Sequence, residues 1–220
     1  MAVMLYGSLH STCTQRVILI LAELGVKHEF TEIKFQEGEH MAEDYVRSYH
    51  PFGRVPVLDD EGLRIFESRA ICRYLVAKYG RNSDLYLETD QSPEDVAHYE
   101  KASSVEYSYF DPTMKSLAFE KIFKKLILCR FMGLGDPNLV EVSKLMDLLH
   151  TTLDYYEQIT SKRDFLAQDK FSLIDLYHMP WIHFLSKLDL QEEISARPSL
   201  KAWWERSSSR TAWQDLVARL

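Results

Sequence analysis

The chain has 220 residues, 46% of them hydrophobic and 27% charged, which suits one large or two modest packed domains and excludes a disordered chain. A net charge of -7 speaks against a dedicated nucleic-acid surface. No run approaches the roughly 18 apolar residues of a membrane helix, and the opening "MAVMLYG" has neither the charged leader nor the cleavage site of a signal peptide.

In chain order, "AVMLY" reads as a strand. Residues 12 to 24 read as a densely apolar, buried helix, stopped by Gly25. "HEFTEIK" is a second strand, so the first three elements form a βαβ unit with a parallel pair. "VPVLDD" and "LRIFES" flank a turn at Glu61-Gly62 and read as a hairpin. A helix from Ser68 to Tyr79 closes the unit. The polar stretch 81–92 reads as a linker, and the segments 93–118, 120–132, 138–160, 173–187 and 198–207 read as helices. The expectation is an α/β domain over 1–81 and an all-helical domain over 92–220, with a ligand cleft between the two.

Chemistry concentrates in three segments of the first half. Ser11 and Thr12 stand where a strand becomes a helix, and the unpaired amides of that turn carry the positive end of the helix dipole. A thiolate placed there is stabilised. "HPFGRVPVL" sets Pro56 at the start of a strand after a glycine loop. "FESRAI" sets Glu67 and Ser68 at a helix entrance, a ready site for a carboxylate. The three cysteines, Cys13, Cys72 and Cys129, are odd in number and far apart, which reads as reduced thiols in a compartment such as the cytoplasm. No metal-ligand constellation surrounds His178 or His183, and no metal is expected.

Together these motifs resemble those of a phi-class glutathione transferase. "GSLHSTCTQRV", "GEH", "HPFGRVP", "FESRAICRYL", "FLAQDKFSLIDLYHMP" and "RPSLKAWWERSSSRTAW" follow in the family's order along nearly the whole chain. The resemblance implies a thioredoxin-like first domain and glutathione as co-substrate. It makes Ser11 the catalytic serine, donating to the glutathione sulfur. It places His40 at the glycine end, Val55 in backbone pairing with the cysteinyl residue, and a cis Pro56 turning the Val55 amide outward. Glu67 takes the α-amino group of the γ-glutamyl arm and Ser68 its carboxylate. Leu9, His10, Tyr107, Phe110, Met114 and Phe119 are candidates for a hydrophobic substrate pocket. Phe52 implies a homodimer contact. Two positions depart from the pattern: Met41 stands where a lysine follows "GEH", and Arg54 where glutamine precedes "VP". Arg54 is therefore the candidate cation for the glycine carboxylate.

Other readings compete. Ser11 or Thr12 also suits a plain helix cap. Cys13 is the rival nucleophile, although the family's catalytic cysteines occupy the position that Ser11 holds here. Cys72 and Cys129 read as core. Ser172-x-x-Asp175 reads as a capping box with Phe171 as staple, and Trp203 and Trp204 as packing anchors. The resemblance leaves two alternatives to transfer: a glutathione-dependent cis-trans isomerase of a conjugated alkene in fungal secondary metabolism, and a non-catalytic ligandin or protein-interaction module.

Overall fold

The computed structural model describes residues 3–80, 83–86, 92–124 and 136–220. It divides into two compact units, Met1–Tyr86 with Ser208–Leu220, and Leu87–Ser207. The linker expected over 81–92 and the helix expected over 120–132 fall mostly outside the described residues, and Cys129 falls there too.

The first unit is built on strands β1 (Val3–Gly7), β2 (His28–Glu32), β3 (Val57–Asp60) and β4 (Leu63–Phe66), in sheet order β2-β1-β3-β4. β1 and β2 are parallel, as helix α1 (Thr12–Glu23) between them requires. β3 runs antiparallel to β1 and to β4. Glu61 and Gly62, at φ 56° and 91°, form the tight hairpin turn. Helix α3 (Ser68–Tyr79) packs beside α1. The two-residue alternation of the strands sends Tyr6, Val57 and Phe66 to one face, where they meet Tyr45 and Tyr49, and Leu5 and Leu58 to the other. Tyr45 belongs to a short helix that the sequence reading did not anticipate, α2 (Glu43–Ser48).

Helix α1 is buried almost throughout, from Thr14 to Leu21. Part of its cover is the C-terminal helix α10 (Thr211–Val217), also unanticipated. The Arg210 guanidinium grips the Glu23 carboxylate with two hydrogen bonds, of 2.7 and 2.6 Å, and this bidentate pair ties residues 208–220 to the first unit. The sequence alone places that tail in the helical domain expected over 92–220; the contacts of the tail place it with the first unit.

The second unit contains α4 (Pro93–Val105), α5 (Asp111–Ala118), α6 (Leu139–Thr160), α7 (Leu173–Phe184), the short α8 (Glu192–Ser195) and α9 (Pro198–Ser208). α7 is its centre, buried from Leu173 to Ile182. Asp175 completes the capping box with Ser172, and it also accepts from Leu166 N at 2.9 Å and Trp203 Nε1 at 2.8 Å. Burial still pushes its carboxyl above the usual range. His178 Nδ1 lies 2.6 Å from the Ile174 carbonyl and must donate to it, so Nε2 accepts from Tyr156 OH at 2.8 Å. Asp175 and His178 are both fully buried. The path from α4 into α5 is continuous but carries a π turn over Glu106–Phe110, just before Pro112, whose missing N–H ordinarily interrupts a helix.

Candidate active site

The sheet register gathers the site. Tyr6 pairs with Val57, and Val57 with Phe66. This row lies at the C-terminal end of β1, the start of β3 and the end of β4. The chain leaves it toward Ser11, arrives at it through Val55–Pro56, and continues from it into Glu67 and Ser68. Three segments far apart in sequence thus share one end of one sheet.

Ser11 is the N-cap of α1, and its Oγ accepts from Thr14 N at 3.3 Å. Accepting uses a lone pair and leaves the hydroxyl proton free to be donated. No acidic residue lies in the first turn of α1 to offset its dipole. The preceding loop is held by side chains. Leu9 N donates to Glu32 Oε2 at 3.3 Å, Gln15 Nε2 donates to the Leu9 carbonyl at 2.7 Å, and Ser8 N donates to Thr14 Oγ1 at 3.3 Å. Gly7 permits that last approach, because a Cβ there would stand 2.5 Å from Thr14 Cγ2. Leu9 is half-buried and His10 exposed. Gln15 and Glu32 are not singled out by the sequence, although the position of Gln15 in the first helical turn is a usable signal.

Cys13 is half-buried, with an Arg16 guanidinium nitrogen 3.8 Å from its sulfur. Cys72 is fully buried, and burial pushes its thiol up to about 12, which removes it as a nucleophile.

The Val55–Pro56 bond is cis. Val55 packs with Ile33, Tyr45 and Val57 just before the β3 ladder begins. The Arg54 carbonyl accepts from Tyr45 OH at 2.9 Å, and the Arg54 side chain is exposed. Gly53, at φ 59°, touches the loop of His40 and Met41: a Cβ there would lie 2.6 Å from Met41 Sδ and 3.0 Å from the His40 carbonyl. His40 sits edge-on to Phe35 at 4.6 Å, burial lowers its pKa, and its Nδ1 is buried without a hydrogen-bond partner among the described residues. Phe52 is 68% exposed.

Glu67 adopts φ 73° and ψ 107°, a backbone that non-glycine residues rarely accept. Its side chain makes no cap hydrogen bond to α3, and Ser68 is buried at the first helical position. Strain at such a place is a common mark of a functional site.

In the helical unit the four aromatic and methionine candidates divide. Phe110 and Met114 have no exposed surface, because four-residue spacing puts both on the inward stripe, where Phe110 meets His178 at 4.7 Å. Tyr107 and Phe119 are open, at 62% and 43% exposure, and so is the neighbouring Tyr109. Among the described residues no cluster of three metal-ligating side chains occurs, and no helix is long and apolar enough to cross a membrane.

Residues 1–77 match the glutathione S-transferase N-terminal domain family and residues 139–211 the C-terminal domain family. Glutathione S-transferase PM239X14 of Arabidopsis thaliana is 43% identical over 206 residues, covering 93% of this chain and 91% of that protein. The crystal structure of glutathione transferase F7 from Populus trichocarpa superposes with a TM-score of 0.87 at 30% identity, covering 99% of this chain and 98% of that one. A maize glutathione S-transferase I, solved in complex with an atrazine glutathione conjugate, matches with a TM-score of 0.86 at 28% identity over 99% of this chain and 97% of its own. The sheet order, the helix-capping serine and these likenesses agree: the chain belongs to the glutathione transferase family, in its phi class.

Proposed function

We propose that the protein adds glutathione to a hydrophobic electrophile, with the Ser11 hydroxyl stabilising the glutathione thiolate. The observation that carries this reading is the Tyr6–Val57–Phe66 row, from which Ser11, Val55 and Glu67–Ser68 all extend. Ser11 donates to sulfur. The thiol proton passes to solvent, the thiolate lone pair forms the new C–S bond as the π bond of the acceptor alkene breaks, and the electron pair released onto the acceptor takes up a proton from solvent. Val55 pairs with the cysteinyl backbone. Glu67 meets the α-amino group, and Ser68 with the uncapped start of α3 meets the γ-glutamyl carboxylate. His40 and Arg54 serve the glycine end, where Met41 carries no charge. Leu9 and His10 flank Ser11 for the electrophile, and Tyr107 and Phe119 offer open aromatic surface in the helical unit.

The energetics are sufficient. A free thiol has a pKa of about 8.5. Lowering it by about two units takes roughly 2.7 kcal/mol. One hydrogen bond to a charged group contributes about 1.5–3 kcal/mol, and the α1 dipole about 0.3–1 kcal/mol more. No buried general base is required. The maize relative was solved with a glutathione conjugate bound, which supports glutathione as the co-substrate here. The same reading carries a homodimer contacted through Phe52, and a reducing, cytoplasmic setting that suits the free thiols of Cys13 and Cys72.

Mass analysis after incubation with glutathione and a panel of enones tests the reaction. A gain of one glutathione supports transfer. A rearranged alkene of unchanged mass means isomerisation instead, and no change with any electrophile contradicts both.

A further inference from the structure

His50, at the head of the loop that carries Phe52, Arg54 and Val55, has no role in the reading above. It is 2% exposed. Its Nδ1 accepts a hydrogen bond from Phe52 N at 3.3 Å, so in this arrangement the ring is neutral and its proton sits on Nε2. The ring lies 4.7 Å from Phe66 of β4 and 6.1 Å from Phe52. Its main chain is fixed as well, with His50 N donating to the Tyr45 carbonyl at 3.2 Å and its own carbonyl accepting from Gly53 N at 2.9 Å. The imidazole is thus the post around which residues 50–54 turn, and the turn delivers Arg54 and Val55 to the end of the sheet.

We propose that His50 is a positioning residue whose neutral ring holds the 50–54 loop in its glutathione-binding shape, so that protonation of the ring weakens binding. The proposal rests on the glutathione reading above. Its chemistry is local. A proton on Nδ1 replaces the acceptor with a donor aimed at the Phe52 N–H, and two donors cannot share the position. Two charged groups act on the ring, Glu67 from the entrance of α3 and Arg54 from its own loop, and they oppose one another. Phe66 and Phe52 present only ring carbon, and the hydroxyl of Tyr45, from α2, is engaged with the Arg54 carbonyl. Burial therefore prevails and lowers the pKa below the ordinary 6.5, which keeps the ring neutral at physiological pH.

The test measures calorimetric binding of S-hexylglutathione, which has no titrating thiol, from pH about 8 down to about 5, across the ordinary imidazole range. Wild type should bind tightly at the upper end and lose affinity toward the lower. His50→Asn supplies an amide oxygen where Nδ1 stood and cannot titrate in this range. It should keep neutral-pH affinity within about two-fold and show a shallower acid limb, the remainder belonging to His40. His50→Phe keeps the ring but removes the acceptor, and should bind about five-fold more weakly at neutral pH, the equivalent of one neutral hydrogen bond. Thermal melts confirm that each variant is folded. An unchanged acid limb in His50→Asn, or wild-type affinity in folded His50→Phe, overturns the positioning role alone. A wild type that binds no glutathione analogue at any pH overturns the glutathione reading and this proposal together.

Discussion

Replacing Gly53 by alanine should damage glutathione binding through geometry, and Gly25 provides the control. Both glycines hold left-handed backbone, at φ 59° and 63°. An alanine in that region costs about 1–2 kcal/mol. At Gly25 nothing lies within 4 Å of the added Cβ, so conformational strain is the whole effect. At Gly53 the Cβ would meet Met41 Sδ at 2.6 Å and the His40 carbonyl at 3.0 Å. The exposed methionine can swing away, but the carbonyl moves only with its loop. Overpacking of this sort costs about 1–3 kcal/mol more. In a chain of this size each kcal/mol lowers the melting temperature by about 2–4 °C. Gly25→Ala should therefore melt a few degrees lower and bind S-hexylglutathione as wild type does. Gly53→Ala should melt lower still and lose roughly ten-fold in affinity, the scale of one hydrogen bond to a charged group. Equal melting shifts and equal affinities in the two variants would refute the coupling of the Gly53 loop to His40.

Arg54→Gln should weaken glutathione binding by about 1–3 kcal/mol and leave the saturated rate little changed. If Arg54 holds the glycine carboxylate, wild type should discriminate against the glycine ethyl ester and the variant should not; equal discrimination contradicts the role. Phe52→Ser should weaken self-association by about 2 kcal/mol, read by sedimentation at low micromolar concentration, and a wild-type monomer contradicts the interface. Stability should fall on acidification below 6.5, because His40, His50 and His183 all have pKa values lowered first by burial. Their neutral forms favour the fold above the unfolded value, and that contribution is lost as pH falls through the folded values, at no more than about 1.4 kcal/mol per pH unit per histidine. Urea unfolding at successive pH values measures it; a rise in stability across that window contradicts the burial of these rings.

The parts that were legible in the sequence are those fixed by short-range chemistry. β1, α1, β2, the β3–β4 hairpin and α3 announce themselves through periodicity, Gly25 and the Glu61-Gly62 turn. The Asp175 capping box is equally local. What escaped depends on distant partners or on altered helical phase. α2 is six residues long, has no side-chain cap, and buries one residue, Tyr45. α10 belongs to the first unit because Arg210 reaches Glu23, 187 positions away. The π turn over Glu106–Phe110 departs from the 3.6-residue period that a sequence reading assumes, and Phe110 and Met114 face the core while Tyr107 and Tyr109 stay open. His50 was hidden beside Pro51 in a motif read for its glycine and proline.

Ser11 remains the centre of the account. Its Oγ both caps α1 and is assigned the bond to sulfur. Loss of the cap alone costs about 1 kcal/mol of stability and should not touch a bound thiol. The direct measurement is ultraviolet titration of the thiolate of bound glutathione, in wild type and in Ser11→Ala, with Cys13→Ser as companion. Wild type should ionise the thiol about two units below its free value of about 8.5. Ser11→Ala should recover a unit or more of that difference, about 1.4 kcal/mol or more, while still binding glutathione, and Cys13→Ser should behave as wild type. An unchanged thiol pKa in Ser11→Ala, with activity lost in Cys13→Ser instead, would contradict serine-based thiolate stabilisation.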